Sequence, residues 1–391
     1  MNTTDLHSRE RGLRCRRILP MQTGRSVIED GMLLLQGERV ADVGSYGELK
    51  KTCRGPIQDL GPHTLAPGPI NAHTHLELSH LRGQTVQGEG FTPWIRSLVQ
   101  LPMGQVEEAT LKQALAELRE LGTACLVDIS GHRPERVYQQ LQQSGLEYAL
   151  CKEVLGFSPL RDVRDIWPAG LNPGRDSRLS LAGHALYSTH PGTLQLGKTW
   201  SNGKKRPFSI HLAESPEEVD LLTTGRGGLA DLLLANLLPE NYIAPGISPV
   251  QYADQLGLLD AGTLAVHCVQ VEDRDIHILR QRGVTVCLCP RSNAAINVGS
   301  PPFQAMREAG IPLCLGTDSL ASNTDLEVWR ELIFLLQRGL DAISLQEAVS
   351  MLTVHPARAL GRYPELGTLQ PGAKAFISFV PAEVEDRLKT A

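Results

Sequence analysis

The stretch "PINAHTHLELSH", residues 69–80, places His73, His75 and His80 within eight positions of a chain that holds twelve histidines in all. Side chains two apart on a strand project to the same face, so His73 and His75 point together while Thr74 points away, and two imidazoles can share one metal ion. The same spacing suits two polar residues at a strand end, so the surroundings have to decide.

Seven more β-like runs follow: "TACLVDIS" (123–130), "EYALCKEVLG" (147–156), "LSLAGHALYST" (179–189), "FSIHLAES" (208–215), "LAVHCVQ" (264–270), "VTVCLCPRSN" (284–293) and "PLCLGTDS" (312–319). Helical patterns lie between several of them, as in "EEATLKQALAELRELG" (107–122) with its three-to-four apolar spacing. Counting 69–75 as the first, eight strand-plus-helix units describe an α/β protein with a (β/α)8 barrel. The flanks read differently. "GMLLLQGERVADVG" (31–44) predicts a hairpin, and "AFISFV" (375–380) supplies a matching strand near the other end. The expectation is a small β-sandwich domain built from residues 1–62 and 363–391, around a barrel at 63–362. No repeat or low-complexity tract is visible.

Composition narrows the function. The 391 residues carry 38 basic and 43 acidic side chains, a net charge of -5, which argues against a basic nucleic-acid surface. Hydrophobic content of 41% is that of an ordinary globular protein. No run approaches a membrane span, and no apolar stretch resembling a signal peptide follows the arginine-rich start "MNTTDLHSRERGLRCRR". The eight cysteines (15, 53, 125, 151, 268, 287, 289, 314) sit mostly in apolar runs and read as buried reduced thiols of a cytoplasmic protein. A small-molecule substrate is expected, with no nucleic acid or membrane partner; a homodimer is compatible with a barrel of this size.

A barrel enzyme keeps its site at the C-terminal ends of the strands. His73 and His75 end the first predicted strand, His184 lies late in the fourth, His211 in the fifth, His267 in the sixth, and Asp318 ends the eighth. Any one histidine on an apolar strand is more readily a packed core residue, but five groups at equivalent strand ends are hard to explain as core filling. Imidazoles with a carboxylate suit one divalent zinc or iron ion. A second ion would need a bridging group, commonly a modified lysine ending the fourth strand; "GHALYST" has none, and Lys152 lies on the third strand beside Glu153. Glu77, Trp94, Glu153, Ser322 and Asn323 are candidate pocket residues, each with a structural alternative: packing for Trp94, loop shape for Ser322 and Asn323. "GRGG" (225–228) lacks the lysine of a phosphate cradle and reads as a loop. Cys287 and Cys289 read as core.

"PGPINAHTHLELS", "HALYST", "IHLAESPEEVDLL", "VHCVQVED", "CPRSNAAINVG" and "GTDSLASN" together resemble the amidohydrolase superfamily, in its branch of mononuclear-metal deaminases and chlorohydrolases. Within that branch, "NAHTHLELS", "EVLG", "HLAES", "GISPVQYADQLGLLDAGTLAVHCV" and "GTDSLASN" are most similar to the aminodeoxyfutalosine deaminases of menaquinone biosynthesis. One departure is His-Ala-Leu-Tyr-Ser at 184–188, where relatives usually carry proline third. The resemblance implies a metal held by His73, His75, His211 and Asp318, with Asp318 accepting a proton from the attacking water and His267 orienting it. It implies that Glu214 protonates the ring nitrogen beside the carbon under attack, a role that the acidic helix start "ESPEE" would not suggest alone. His184 would contact substrate. The implied reaction removes the 6-amino group of an adenine-containing nucleoside-like metabolite. The alternatives are methylthioadenosine or adenosylhomocysteine, guanine, cytosine, a triazine or a cyclic amide as substrate, or a scaffold barrel without activity.

Overall fold

The computed structural model describes residues 10–339 and 343–388. The first nine residues of the arginine-rich start and the last three residues assigned to the β domain lie outside the described residues. From Glu10 the chain forms an antiparallel meander: β1 (Glu10–Ile18), β2 (Ile28–Gln36) and β3 (Arg39–Ser45). The predicted hairpin is β2 and β3, joined by a two-residue turn whose Gly37 has φ 60°, a left-handed value that favours glycine. Two short strands, β4 (Ile57–Asp59) and β5 (Thr64–Pro67), run parallel to β1 along one edge. The other chain end returns here: β14 (Ile377–Phe379) pairs antiparallel with β5. The six strands form one sheet, and Leu13, Cys15, Leu33, Val43 and Leu65 bury its inner face against Leu369 and Ala373.

Between β5 and β14 stand eight parallel strands in sequence order: β6 (Ile70–Thr74), β7 (Cys125–Ser130), β8 (Glu147–Val154), β9 (Leu179–Ala185), β10 (Phe208–Leu212), β11 (Thr263–His267), β12 (Thr285–Leu288) and β13 (Leu313–Leu315). The ring closes between its first and last members through one bridge, Thr74 to Asp318, where the Asp318 N–H donates to the His73 carbonyl at 3.0 Å. Every residue of β6, β7, β10, β11, β12 and β13 is buried. This is why these strands read as continuous apolar runs and do not alternate: both faces are covered. Ala72, Val127, Ala149, Cys151, Val266 and Cys287 help fill the interior, and the helices cover the outside. The predicted helix 107–122 is Glu108–Glu120; it buries Leu111, Ala114, Leu115 and Leu118 at three-to-four spacing, each leucine contributing about 2 kcal/mol.

Strand starts match the sequence reading closely, whereas several ends fall short. The seventh strand stops at Leu288 because Pro290 opens the helix Pro290–Ile296, so Cys289 precedes that helix and does not share a strand with Cys287; both are buried core. The fifth stops at Leu212, where Ala213 turns to φ 52°. The eighth stops at Leu315, three residues before Asp318. There Gly316 lets the last strand approach the first: a Cβ on it would lie 2.7 Å from both the Cβ and the backbone nitrogen of His73. The first three residues of "GRGG" link the helices Pro216–Thr224 and Gly228–Asn236, and its last glycine opens the second helix. Among the described residues no helix is long and apolar enough to cross a membrane.

Candidate active site

The pleat of β6 sends His73 and His75 to one side. Thr74 goes to the other, where its hydroxyl meets the Val127 carbonyl at 3.2 Å and the Asp128 carboxylate at 3.1 Å. His211, on β10, completes a triangle. Nε2 of His75 lies 3.1 Å from Nε2 of His73 and 3.4 Å from that of His211, and the third edge is 3.2 Å. Three nitrogens bound 2.0–2.1 Å from one tetrahedral metal stand about 3.3 Å apart, so the triangle has the dimensions of a ligand set. The His211 Nδ1 faces the His184 carbonyl at 2.8 Å; a carbonyl only accepts, so Nδ1 holds the proton and Nε2 offers its lone pair. Burial, before any other cause, lowers the pKa of His73 and His211 and brings that of His75 down to about 3. The rings are therefore neutral, the form that binds metal.

Asp318 caps the triangle, its Oδ1 3.6 Å from Nε2 of His73 and 3.7 Å from that of His75. Its orientation is fixed from behind. Oδ2 accepts from Ser292 Oγ at 2.7 Å and Ser322 Oγ at 3.1 Å, and Oδ1 accepts from the Ser319 N–H at 2.7 Å.

Across the triangle stand His267 and Glu214, with Nε2 and Oε1 3.6 Å apart. His267 Nδ1 lies 2.8 Å from Asn293 Oδ1, an acceptor that places the proton on Nδ1. Burial, reinforced by the Asp318 and Glu217 charges, raises the Glu214 carboxyl well above its ordinary value, which favours its protonated form. A second buried carboxyl sets its position: Glu218 accepts from the N–H groups of Ala213 at 3.1 Å and Glu214 at 2.7 Å. Ala213, His267, Cys268 and Asp318 all have positive φ, 52°, 74°, 46° and 61°. Four non-glycine residues in that region, gathered on one rim, are the backbone strain found where a site is held in shape by its surroundings.

The other expected residues divide. His184 is at the rim, its ring centroid 5.1 Å from that of His211 and its Nδ1 2.5 Å from Ser188 Oγ; burial first of all brings it to about 4. Glu153 is close by: a carboxylate oxygen, a His184 nitrogen and a His211 nitrogen lie within 4.8 Å of one another, and burial raises Glu153 to about 8. Trp94 packs on Phe91, ring centroids 5.6 Å apart, in an apolar cluster with Tyr187 above the strand ends. Glu77 turns away from the cluster, because both its oxygens accept backbone N–H groups of Gly131, His132 and Arg133 at 2.7–3.2 Å and so hold the loop after β7. Ser322 is occupied with Asp318, and Asn323 donates to the Thr317 carbonyl and to Glu331. His80 bonds the Pro102 carbonyl, outside the cluster. Asp128, Glu218, Ser292 and Asn293 were not singled out from the sequence. The signal for Asp128 was a charge inside the apolar run "CLVDIS", and for the serine and asparagine a polar pair one residue after "CLCP".

A barrel with three inward imidazoles, a facing carboxylate and a buried carboxyl raised above its ordinary pKa at its C-terminal rim is the frame of a hydrolase that works on a polar bond. Residues 64–389 match the Amidohydrolase family, and the chain belongs to that family. It is 32% identical over 330 residues to the aminodeoxyfutalosine deaminase of Deinococcus radiodurans, covering 80% of this chain and 77% of that one. It is 28% identical over 373 residues to a 5-methylthioadenosine/S-adenosylhomocysteine deaminase of Moorella thermoacetica, covering 90% and 82%. Its fold is shared with the aminofutalosine deaminase of Helicobacter pylori solved with methylthio-coformycin, at a TM-score of 0.81 and 20% identity over 97% of this chain and 95% of that one. The protein is a hydrolytic deaminase of this family.

Proposed function

We propose that the chain deaminates the adenine 6-amino group of aminodeoxyfutalosine in menaquinone biosynthesis, as a cytoplasmic enzyme with one zinc or iron ion held by His73, His75, His211 and Asp318. The observation that carries the chemistry is the triangle of Nε2 atoms facing Asp318, with Glu214 and His267 beside it. The substrate rests on the Deinococcus radiodurans relative. All eight cysteines are free thiols, which supports a reducing compartment.

When bound, a divalent ion supplies a water acidified to near neutrality. Asp318, held by two serine hydroxyls, would accept a proton from the attacking water. Glu214, whose raised pKa favours the protonated form, delivers its proton to the ring nitrogen adjoining the purine carbon. His267, fixed by Asn293, steadies the developing charge, and His184 and Glu153 contact the substrate beyond it. The proton taken up by Asp318 passes to the amino group, the C–N bond breaks to release ammonia, and the hydroxyl proton of the product returns to Glu214.

The test is ammonia release by metal-analysed protein offered aminodeoxyfutalosine, methylthioadenosine, S-adenosylhomocysteine and adenosine side by side. The highest kcat/KM is expected with aminodeoxyfutalosine. A preference for methylthioadenosine would instead place the chain with the Moorella thermoacetica relative, and no release from any 6-aminopurine at full metal occupancy would overturn the purine reading.

A further inference from the structure

The floor of the barrel, at the opposite strand ends from the triangle, holds a second concave site. A cavity of about 600 Å³ opens between the first residues of β8, the entries to β9 and β10, and the segment 360–374. Six cations line it: Arg178, Lys204, Lys205, Arg206, Arg362 and Lys374.

Their counter-charges fall short. Arg362 and Lys374 share Glu147 and Glu365, and Arg178 pairs with Asp176 at 2.8 Å. Lys204 and Lys205 make no ion pair among the described residues. Arg206, half buried, meets no carboxylate in an ion pair among the described residues: NH1 donates to the Leu179 carbonyl at 2.6 Å and NH2 to the Pro173 carbonyl at 2.7 Å, and its guanidinium lies 5.4 Å from the centre of the Trp200 ring. Six cations thus face three carboxylates in a chain whose net charge is -5. The end of the helix Pro191–Lys204 favours lysines at 204 and 205. That attraction and the ion pairs of Arg178, Arg362 and Lys374 do not explain why Arg206 lies in the same space without a carboxylate of its own. Nor does the floor of a barrel require it, since that face ordinarily serves stability.

We propose that this cavity binds a small phosphorylated metabolite bearing two or more negative charges. Concave walls concentrate the field of Lys204, Lys205 and Arg206, which pair with no carboxylate among the described residues, the lysine ammonium groups are donors for phosphate oxygens, and the volume falls in the range of small-molecule sites. The negative charge of the rest of the chain disfavours long polyanions, so a compact ligand fits best. The proposal is independent of the substrate assigned to the rim.

Isothermal titration calorimetry at physiological salt tests it, with the metal-loaded full-length protein, fructose 1,6-bisphosphate as probe and glucose as uncharged reference. Saturable one-to-one binding is expected for the bisphosphate only. The double variant Lys204→Gln/Lys205→Gln should weaken it about tenfold or more, as lost charge-assisted hydrogen bonds do. Glutamine retains the backbone cost of the left-handed Lys205, φ 54°, so folding is preserved. The charge-matched surface variant Lys50→Gln/Lys51→Gln should leave binding unchanged. No saturable binding, equal binding by the 204/205 variant, or equal weakening by the 50/51 variant would overturn the site.

Discussion

Asp128 grips both neighbours of His75. Its Oδ1 accepts from the Leu76 N–H at 2.8 Å and from Thr74 Oγ1 at 3.1 Å, and its Oδ2 from Ser130 Oγ at 2.7 Å, all fully buried. Asp128→Leu leaves the Leu76 N–H buried without an acceptor, at a cost of about 1–3 kcal/mol. Thr74 retains the Val127 carbonyl, but the buried Ser130 hydroxyl loses its acceptor too, so about 3 kcal/mol is the expected total. With residue 75 released from both sides, metal affinity should fall roughly 10–100-fold, as when the groups behind a ligand are lost. Asp128→Asn retains Oδ1, and the Ser130 hydroxyl can rotate to accept from the new amide. Burial already raises the Asp128 carboxyl to about 7, so its charge contributes little, and the Asn variant should lose under about 1 kcal/mol and bind metal within about threefold. Urea unfolding and chelator competition read the two quantities. If the Leu variant binds metal like the wild type, or if Asn is as damaging as Leu, then Asp128 does not position His75 through these hydrogen bonds.

Glu214→Gln removes the proposed proton donor and should lower kcat by about 10²–10⁴-fold with metal content unchanged, checked by ammonia release alongside metal analysis. Ser292→Ala removes the shorter of the two hydroxyl contacts to Asp318 Oδ2 and should reduce kcat about tenfold, with Ser322 limiting the loss; an unchanged kcat would show that Asp318 is held otherwise. Stability of the metal-free protein should fall between pH 6.5 and 8. Burial raises Glu153 and Glu218 to about 8, so their contribution is complete below the ordinary 4.5 and is lost as pH rises through the folded value. His75 and His184, lowered to about 3 and 4, act in the other sense, adding stability only up to the ordinary 6.5. Urea midpoints that rise from pH 6.5 to 8 would contradict this assignment.

The barrel was legible because strands buried on both faces are written as unbroken apolar runs, and the rim because His73, His75, His184, His211, His267 and Asp318 each stand at or just beyond the end of one. Strand ends were less so. They are set by Pro290, by the positive φ of Ala213 and by the close approach at Gly316, which depend on what the next element does. Residues that act through others were hidden for a related reason. The Leu76 contact with Asp128 spans 52 positions and the Ser292 contact with Asp318 spans 26, and no local pattern marks such pairs. Conversely, Glu77 and Ser322 have the residue types of substrate contacts, but their polar atoms are spent on backbone N–H groups and on Asp318. Residue type says what a side chain can do, and only packing says what it faces.

The most direct test of the one-metal account is a titration of zinc into metal-stripped protein, following ammonia release from aminodeoxyfutalosine against equivalents bound. Activity should rise from zero and break at one ion per chain, and His211→Ala should bind none at that site. Full activity in the stripped protein, or a break at two ions, would contradict it.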